Sequence, residues 1–160
     1  MAYLTQMTDQ ERTAKTERKI LVIGWMEYVH LPDLGLLNIK AKIDTGARTS
    51  ALHATNIETF KKGKEDCVRF TTRASQDGAD IRVESPIYSM RSIKNTSGVP
   101  QERIVIRTKF RLAQRLWIID LTLANRENMT FDLIVGRTAL KNHSIAVHTH
   151  RALRTRKRPD

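Results

Sequence analysis

Alternation of apolar and polar residues dominates the middle of the chain and predicts strands. Ile20–Trp25 is an apolar run, and Leu37–Ile43 alternates up to the aspartate that follows it. Period-two alternation places every second side chain on the same face of a sheet. Pro32–Gly35 is a turn signal between Glu27–Leu31 and Leu37–Ile43, so these two segments predict a hairpin. The predicted fold class is all-β.

The remaining elements continue this pattern towards the carboxyl end. Further strands are predicted at Cys67–Thr72, Ile81–Met90, Arg103–Leu112, Arg115–Leu123 and Phe131–Val135, with one short helix after Gly136 at Arg137–Lys141. The polar segment Lys94–Pro100 lies between two long strands, which predicts a hairpin with a tip that can fold over a bound peptide. The predicted organisation is a mobile arm at 1–18, one β domain at 19–148 and a basic tail at 149–160.

Composition places the chain among globular proteins and adds a strong positive charge. Apolar residues make up 40% of 160 residues, and no apolar run approaches the length of a membrane span. The first residues lack the apolar core of a signal peptide, so a cytoplasmic location and no membrane contact are expected. The net charge is +11, and the tail carries a dense basic cluster. That tail favours either a solvated end or weak contact with nucleic acid, and the lack of interleaved aromatic residues favours the first.

The most informative motif follows the alternating strand. Asp44-Thr45-Gly46 comes directly after Ile43, and Ile134-Val135-Gly136 ends a second apolar strand about ninety residues later. Two carboxylates that share one proton can activate water, because like charges a few Å apart do not both ionise cheaply. Glycine permits a tight turn and leaves its N–H free for a carboxylate oxygen, and the hydroxyl of Thr45 can brace the loop from within. The chain has no second Asp-Thr-Gly, so a pair of Asp44 residues would require a homodimer.

The segments Trp25–Ala54, Ile93–Thr108 and Phe131–Leu140 resemble the bacterial retropepsin-like aspartic peptidase family, whose members often carry the name ATP-dependent zinc protease. The most specific part is the eleven-residue stretch Asp44–Ala54, D-T-G-A-R-T-S-A-L-H-A. The resemblance implies a retropepsin-like closed barrel of one lobe, a dimeric aspartyl site and an association with ATP-grasp enzymes that ligate amino acids.

Within this resemblance each motif residue has an expected role. Asp44, Thr45 and Gly46 are the expected catalytic residues, and Ile134, Val135 and Gly136 are expected to support the loop from behind. Substrate binding is assigned to the residues after the motif and at the hairpin tip, namely Ala47, Arg48, Asn95, Ser97 and Gly98. Arg48 could instead form a salt bridge at a dimer interface. Asp before Gly also commonly does no more than cap a turn.

Metal and cofactor motifs give no support to the zinc or ATP part of the family name. The chain has one cysteine, no H-E-x-x-H and no G-x-x-x-x-G-K-[ST], so we predict neither a metal site nor a cofactor. Three functions remain open. The leading one is a homodimeric aspartic endopeptidase acting on a peptide or protein substrate. The alternatives are a catalytically quiet binding protein that works with an ATP-grasp amino-acid ligase, and a basic accessory protein for RNA or ribosomes.

Overall fold

A computed structural model of the chain describes residues 19–74, 78–94 and 98–155, without the side chains of residues 93 and 94. The strands are β1 (Leu21–Gly24), β2 (Met26–Leu31), β3 (Leu36–Ile43), β4 (Ser50–His53), β5 (Thr55–Lys62), β6 (Glu65–Arg73), β7 (Asp80–Pro86), β8 (Ser89–Lys94), β9 (Pro100–Leu112), β10 (Arg115–Ala124), β11 (Leu133–Val135) and β12 (Ile145–His148). A 3-10 turn at Pro32–Leu34 joins β2 to β3, and the α-helix α1 spans Arg137–Leu140. The all-β prediction with one short helix is confirmed.

Six strands close into a barrel in the order β10-β4-β11-β3-β2-β9, and β9 pairs back to β10. Closure removes the free edges that an open sheet would expose. Most neighbours are antiparallel, whereas β10 with β4 and β11 with β3 are parallel. Parallel pairing brings the carboxyl end of β3, where Asp44 follows, beside the carboxyl end of β11, where Gly136 follows. The predicted retropepsin-like closed barrel is thereby confirmed.

A second, three-stranded sheet of β5, β6 and β7 stands beside the barrel. The predicted single strand Ile81–Met90 is wrong, because it is two strands in two sheets. Ile87 N–H still bonds to Asp66 in the small sheet, whereas Tyr88 N–H bonds to Val105 in the barrel. The chain therefore changes sheets between Ile87 and Tyr88, directly after Pro86, which has no N–H of its own for the ladder.

The barrel interior is filled by the apolar side of each alternating strand. In β9 the even positions Ile106, Thr108, Phe110 and Leu112 are buried, and the odd positions between them face solvent. Phe110 packs edge-on against the indole of Trp117, with 5.0 Å between ring centroids. Burial of large side chains of this kind supplies most of the stabilisation of a small β domain.

Both ends of the described chain meet at one side of the barrel. β1 pairs in parallel with β12, and residues 151–155 then run along the start of β2. Trp25 N–H donates to Arg151 and Leu153 N–H donates to Met26. The first part of the predicted basic tail is thus hydrogen-bonded to the domain. Residues 156–160 and the predicted arm at 1–18 lie outside the described residues.

Candidate functional site

The Asp44 loop, residues 44–48, connects β3 to β4 at the open end of the parallel β3–β11 pair. Asp44 N–H donates to the Val135 carbonyl at 2.9 Å, which ties the loop to the strand behind it. Ile43 and Val135 are buried beneath the loop, whereas Asp44 is half-buried and Thr45 is exposed. The pattern of a buried strand followed by a polar turn therefore delivers a carboxylate to the surface.

The carboxylate of Asp44 organises its own turn. Oδ1 accepts the N–H groups of Gly46 and Ala47 at 3.0 and 3.2 Å, which is the Asx-turn geometry favoured by Asp. The bond expected from Gly46 N–H is therefore present. Within the described residues no hydrogen bond reaches Oδ2, so one oxygen of the carboxylate is available to a ligand.

Gly136 and Ser50 lock the base of this loop. Ser50 Oγ, which is buried, accepts the Gly136 N–H at 2.9 Å, and the Ser50 carbonyl accepts the hydroxyl of Thr122 at 2.9 Å. A Cβ at position 136 would lie 2.6 Å from the carbonyl carbon of Thr49, closer than side-chain carbons approach backbone. Only glycine fits where β11 passes the loop.

The helix α1 holds the outer side of the loop. The Arg137 guanidinium donates to the carbonyls of Thr45 and Gly46 at 2.9 and 3.1 Å. Thr138 Oγ1 donates to the Arg48 carbonyl at 2.8 Å. The helix thus fixes the loop backbone from both sides through its first two residues. The sequence carries no signal for this role, since a polar residue at a helix start is ordinarily solvated.

A groove of about 510 Å³ lies beside the loop, and we call it the loop groove. It is lined by Arg48, Thr49, Arg91, Ser92, Asp120, Thr122 and Thr138. Asp120 is already paired with Arg107 at 2.8 Å and lies 3.6 Å from Arg91. The Arg48 side chain is exposed and forms no ion pair with any described residue. The groove therefore offers an unpaired cation close to the Asp44 loop.

A second cation lies on the other flank of the loop. Arg126 donates from Nε to the Phe131 carbonyl, and its backbone N–H donates to Nδ1 of buried His53. Burial lowers the pKa of Arg126, while the charges of Asp132 and Asp44 act in the opposite direction. Arg126 was missed by sequence reasoning, because a turn arginine gives no sign of which strands it will face.

Of the remaining predicted site residues, Thr45 lies in the Asp44 loop and Gly98 lies at the β8–β9 hairpin. The Thr45 hydroxyl was expected to brace the loop from within, yet the side chain is exposed and no hydrogen bond of its hydroxyl to a described residue is seen. Gly98 is exposed at the β8–β9 hairpin with φ of 76°, a left-handed conformation that suits glycine. Asn95 and Ser97 lie outside the described residues. Their assigned roles in substrate binding stay predictions.

The described residues show neither a cluster of metal ligands nor a membrane-spanning helix. Among the described residues, no group of three or more His, Cys, Asp or Glu side chains is arranged to hold a metal ion. In the same part of the chain, no helix has the length and apolar character needed to cross a bilayer.

Comparison with known proteins connects this fold to one family and to a set of larger proteins. Residues 22–158 match a family model described as RimB-like, retropepsin-like aspartic endopeptidase RimB. A crystal structure of protein Lpg0085, of unknown function, from Legionella pneumophila superposes with a TM-score of 0.73 at 27% identity, covering 87% of this chain and all of that one.

The curated relatives have another name. A protein from Desulfotalea psychrophila is 40% identical over 126 residues, and one from Parasynechococcus marenigrum is 42% identical over 125 residues. Both are named probable alpha-L-glutamate ligase. The match takes up 78% and 77% of this chain and 27% of each relative, so the chain spans about a quarter of the length of these proteins.

These names correct the leading prediction. An aspartic endopeptidase breaks an amide bond with water, whereas the proteins that share this segment are named as ligases, which form one. The prediction of a hydrolase is therefore wrong, and the alternative of a binding protein that works with an amino-acid ligase fits better. Neither the family description nor the names of the relatives mention zinc. The individual residue roles at the Asp44 loop stay predictions.

Proposed function

Because this chain belongs to the RimB-like family of retropepsin-like proteins, we propose that it is a binding domain that works together with a glutamate ligase. In this role the barrel presents the Asp44 loop and the loop groove to a partner or to the ligand of that partner. The domain does no hydrolysis of its own.

One observation carries the proposal. A segment 38–42% identical to most of this chain forms part of much longer proteins that are named probable alpha-L-glutamate ligase. Residence in one polypeptide holds two domains at a high effective concentration. A fusion of this kind is useful when the two domains act on a shared ligand or on each other. We propose that the same relation holds when the domain is carried on the present chain.

The charge of the loop groove supports an acidic ligand. Arg48 is exposed and unpaired among the described residues, and Arg91 lines the same groove. A glutamyl chain carries one carboxylate per residue, and guanidinium groups bind carboxylates through paired N–H···O bonds. The free Oδ2 of Asp44 can accept an N–H of the same ligand. We therefore propose that the loop groove takes the glutamyl end of the chain that the ligase extends.

We also propose that two copies of the chain associate through the β1–β12 sheet. Ile20 and Val22 are 64% and 44% exposed at this two-stranded sheet. An exposed apolar strand at a sheet edge is a natural site for pairing with a second copy. Sedimentation equilibrium of Val22→Lys, with Leu37→Lys as the control at another exposed apolar position, tests this. A wild type that sediments as a monomer would contradict the proposal.

The function is tested by adding the purified chain to a purified glutamate ligase encoded in the same genome and following the initial rate of ligation. We expect the rate to change by about threefold or more when the chain is in excess, because binding shifts the working state of the ligase. The glutamyl product is then incubated with the chain alone, and the length of the product is determined by mass spectrometry. A constant ligation rate contradicts the proposal, and so does shortening of the product that Asp44→Asn abolishes.

The groove itself is tested with a short glutamate peptide. Arg48→Ala should weaken its binding by about tenfold, since a charge-assisted bond contributes roughly 1.5 kcal/mol or more. Arg69→Ala, on the small sheet and away from the loop, is the control. Equal binding by wild type and Arg48→Ala would exclude the groove.

A further inference from the structure

The outward face of β9 carries a row of cations that the loop groove does not use. Arg107, Lys109 and Arg111 are exposed at alternate positions, and the residues between them are buried. We call these three residues the β9 stripe. Alternate residues of a strand lie about 7 Å apart on the same face, so the stripe is a regular line of positive charge.

Aliphatic side chains accompany the stripe on the neighbouring strand. In the antiparallel register, Arg111 lies opposite Leu116, and Lys109 lies opposite Ile118. Leu116 and Ile118 are 46% and 62% exposed. Together the two aliphatic side chains form an exposed apolar patch beside the row of cations, and an apolar patch bordered by polar residues is a feature of protein interaction sites.

Internal ion pairs leave most of the charge of the stripe unused. Asp120 is shared by Arg107 and Arg91. Lys109 reaches Asp33 only at 4.0 Å, with both side chains half exposed, and a pair of this kind contributes little. Arg111 forms no ion pair with any described residue. The surface therefore keeps a net positive charge available to a partner.

The chemistry of the patch favours polypeptide over nucleic acid. Binding of single-stranded nucleic acid uses exposed aromatic rings on which bases stack. Tyr88 lies beside the stripe and is 49% exposed, but the guanidinium of Arg107 already covers one face of its ring, 3.5 Å from the centroid. Leu116 and Ile118 instead suit aliphatic side chains. An extended polypeptide repeats its side chains with the same 7 Å period as the stripe.

We propose that the β9 stripe, with Leu116 and Ile118, is a docking surface for an acidic protein segment that carries aliphatic residues among its carboxylates. The carboxylates contact Lys109 and Arg111, and the aliphatic residues pack on Leu116 and Ile118. This surface adjoins the loop groove through the Arg107–Asp120 pair, but none of the residues assigned to contact the segment lines that groove. The inference therefore goes beyond the proposed function. It holds whether or not a ligase supplies the segment.

The test measures binding of a short synthetic peptide in which leucines are interspersed among glutamates. The double variant Lys109→Glu with Arg111→Glu should weaken binding about tenfold or more at low salt. Lys62→Glu with Lys64→Glu, at the exposed β5–β6 turn, makes the same change in net charge and should leave most of the affinity. Ile118→Ser should weaken binding about threefold, against no change for Ile57→Ser on β5.

Two further probes make the result decisive. The stripe variant and the turn control are measured again in an Arg48→Ala background, where the stripe variant should still lose about tenfold, so a failure of the loop groove proposal is distinguishable from a failure of the stripe. Single-stranded RNA of similar charge should bind more weakly than the peptide. RNA binding that is tighter than peptide binding and depends on the stripe would overturn the proposal. Equal losses of peptide affinity in the stripe variant and the turn control would also overturn it, and so would the absence of peptide binding at about 1 mM.

Discussion

Two carboxylates of this chain accept backbone N–H groups, yet they lie in opposite surroundings. Glu27 on β2 is fully buried, and Oε1 accepts the N–H groups of Gly24 and Arg154, both at 2.7 Å. Its Oε2 accepts the hydroxyl of Thr155 at 2.8 Å. Asp44 is half-buried, and the N–H bonds from its own loop reach only one of its oxygens.

This difference shows which of the two carboxylates has a structural role. A buried charge is tolerated only when its lone pairs are satisfied, and both oxygens of Glu27 are occupied by groups that join β1, β2 and the end of the described chain. Asp44 closes a local turn and retains an unoccupied oxygen at the surface. Glu27 therefore stabilises the domain, whereas Asp44 is available for binding.

Removing the buried carboxylate should have the largest effect. Glu27→Ala leaves the N–H groups of Gly24, Arg154 and Thr155 without their acceptor, so we expect the free energy of unfolding to fall by about 3 kcal/mol. Glu65→Ala, at an exposed position, is the control and should change it by under about 0.5 kcal/mol. Urea denaturation measures both. A loss below about 1 kcal/mol for Glu27→Ala would remove the distinction between the two carboxylates.

The tight crossing behind the Asp44 loop should be the next most sensitive point. Gly136→Ala forces a methyl group to 2.6 Å from Thr49, and we expect a loss of about 2 kcal/mol together with weaker binding at the loop groove. Gly46→Ala meets only the Asp44 carboxylate at 3.2 Å and should cost less. Equal stability losses for the two variants would show that the crossing does not fix the loop.

Replacing the exposed carboxylate should hardly change stability. In Asp44→Asn the side-chain oxygen still accepts the N–H groups of Gly46 and Ala47, so we expect a loss below about 1 kcal/mol. Thermal unfolding followed by circular dichroism provides the measurement. A loss as large as that of Glu27→Ala would make Asp44 a second structural anchor.

Mild acid should loosen the end of the chain that Glu27 holds. Nδ1 of His148 accepts the N–H groups of His150 and Arg151 at 3.3 and 3.1 Å. Its half-buried position lowers the pKa of His148, and the charges of His150, Arg151 and Arg154 lower it further.

The direction of the pH effect follows from this shift. Because the folded state binds the proton less readily than the unfolded state, stability should fall as the pH drops below the ordinary value of about 6.5. In His148→Asn the amide oxygen can replace the acceptor without titrating. Unfolding midpoints between about pH 7 and pH 5 should fall less in the variant than in wild type. Identical pH profiles would rule out His148 as the source.

Strand alternation predicted most of the barrel because each strand buries one face. The β2–β3 hairpin, the position of Asp44 after Ile43 and the helix after Gly136 follow from period-two patterns and local turn residues. The switch of sheets after Pro86 was missed, since Ile81, Val83 and Ile87 keep the same period on both sides of it. Alternation reports which face is buried and not which sheet provides the neighbour.

Long-range contacts could not be predicted from the sequence. Glu27 shares the apolar strand face of Val29 and Leu31. Its partners Arg154 and Thr155 lie more than a hundred residues away, and no local pattern indicates the contact. Ser50 accepts the N–H of Gly136 at the end of the neighbouring strand β11, a contact that no local pattern indicates. The motif around Asp44 predicted the fold and the place of the loop. The hydrolase was the wrong inference, because the relatives that share this segment are named as ligases.

The central claim is that this chain binds a glutamate ligase. Isothermal titration of the ligase with wild type and with Asp44→Asn measures it most directly. We predict that wild type and Asp44→Asn each bind the ligase with a Kd near 10 μM or tighter, because the association does not depend on hydrolysis. No heat of binding at about 100 μM of either protein would contradict the account.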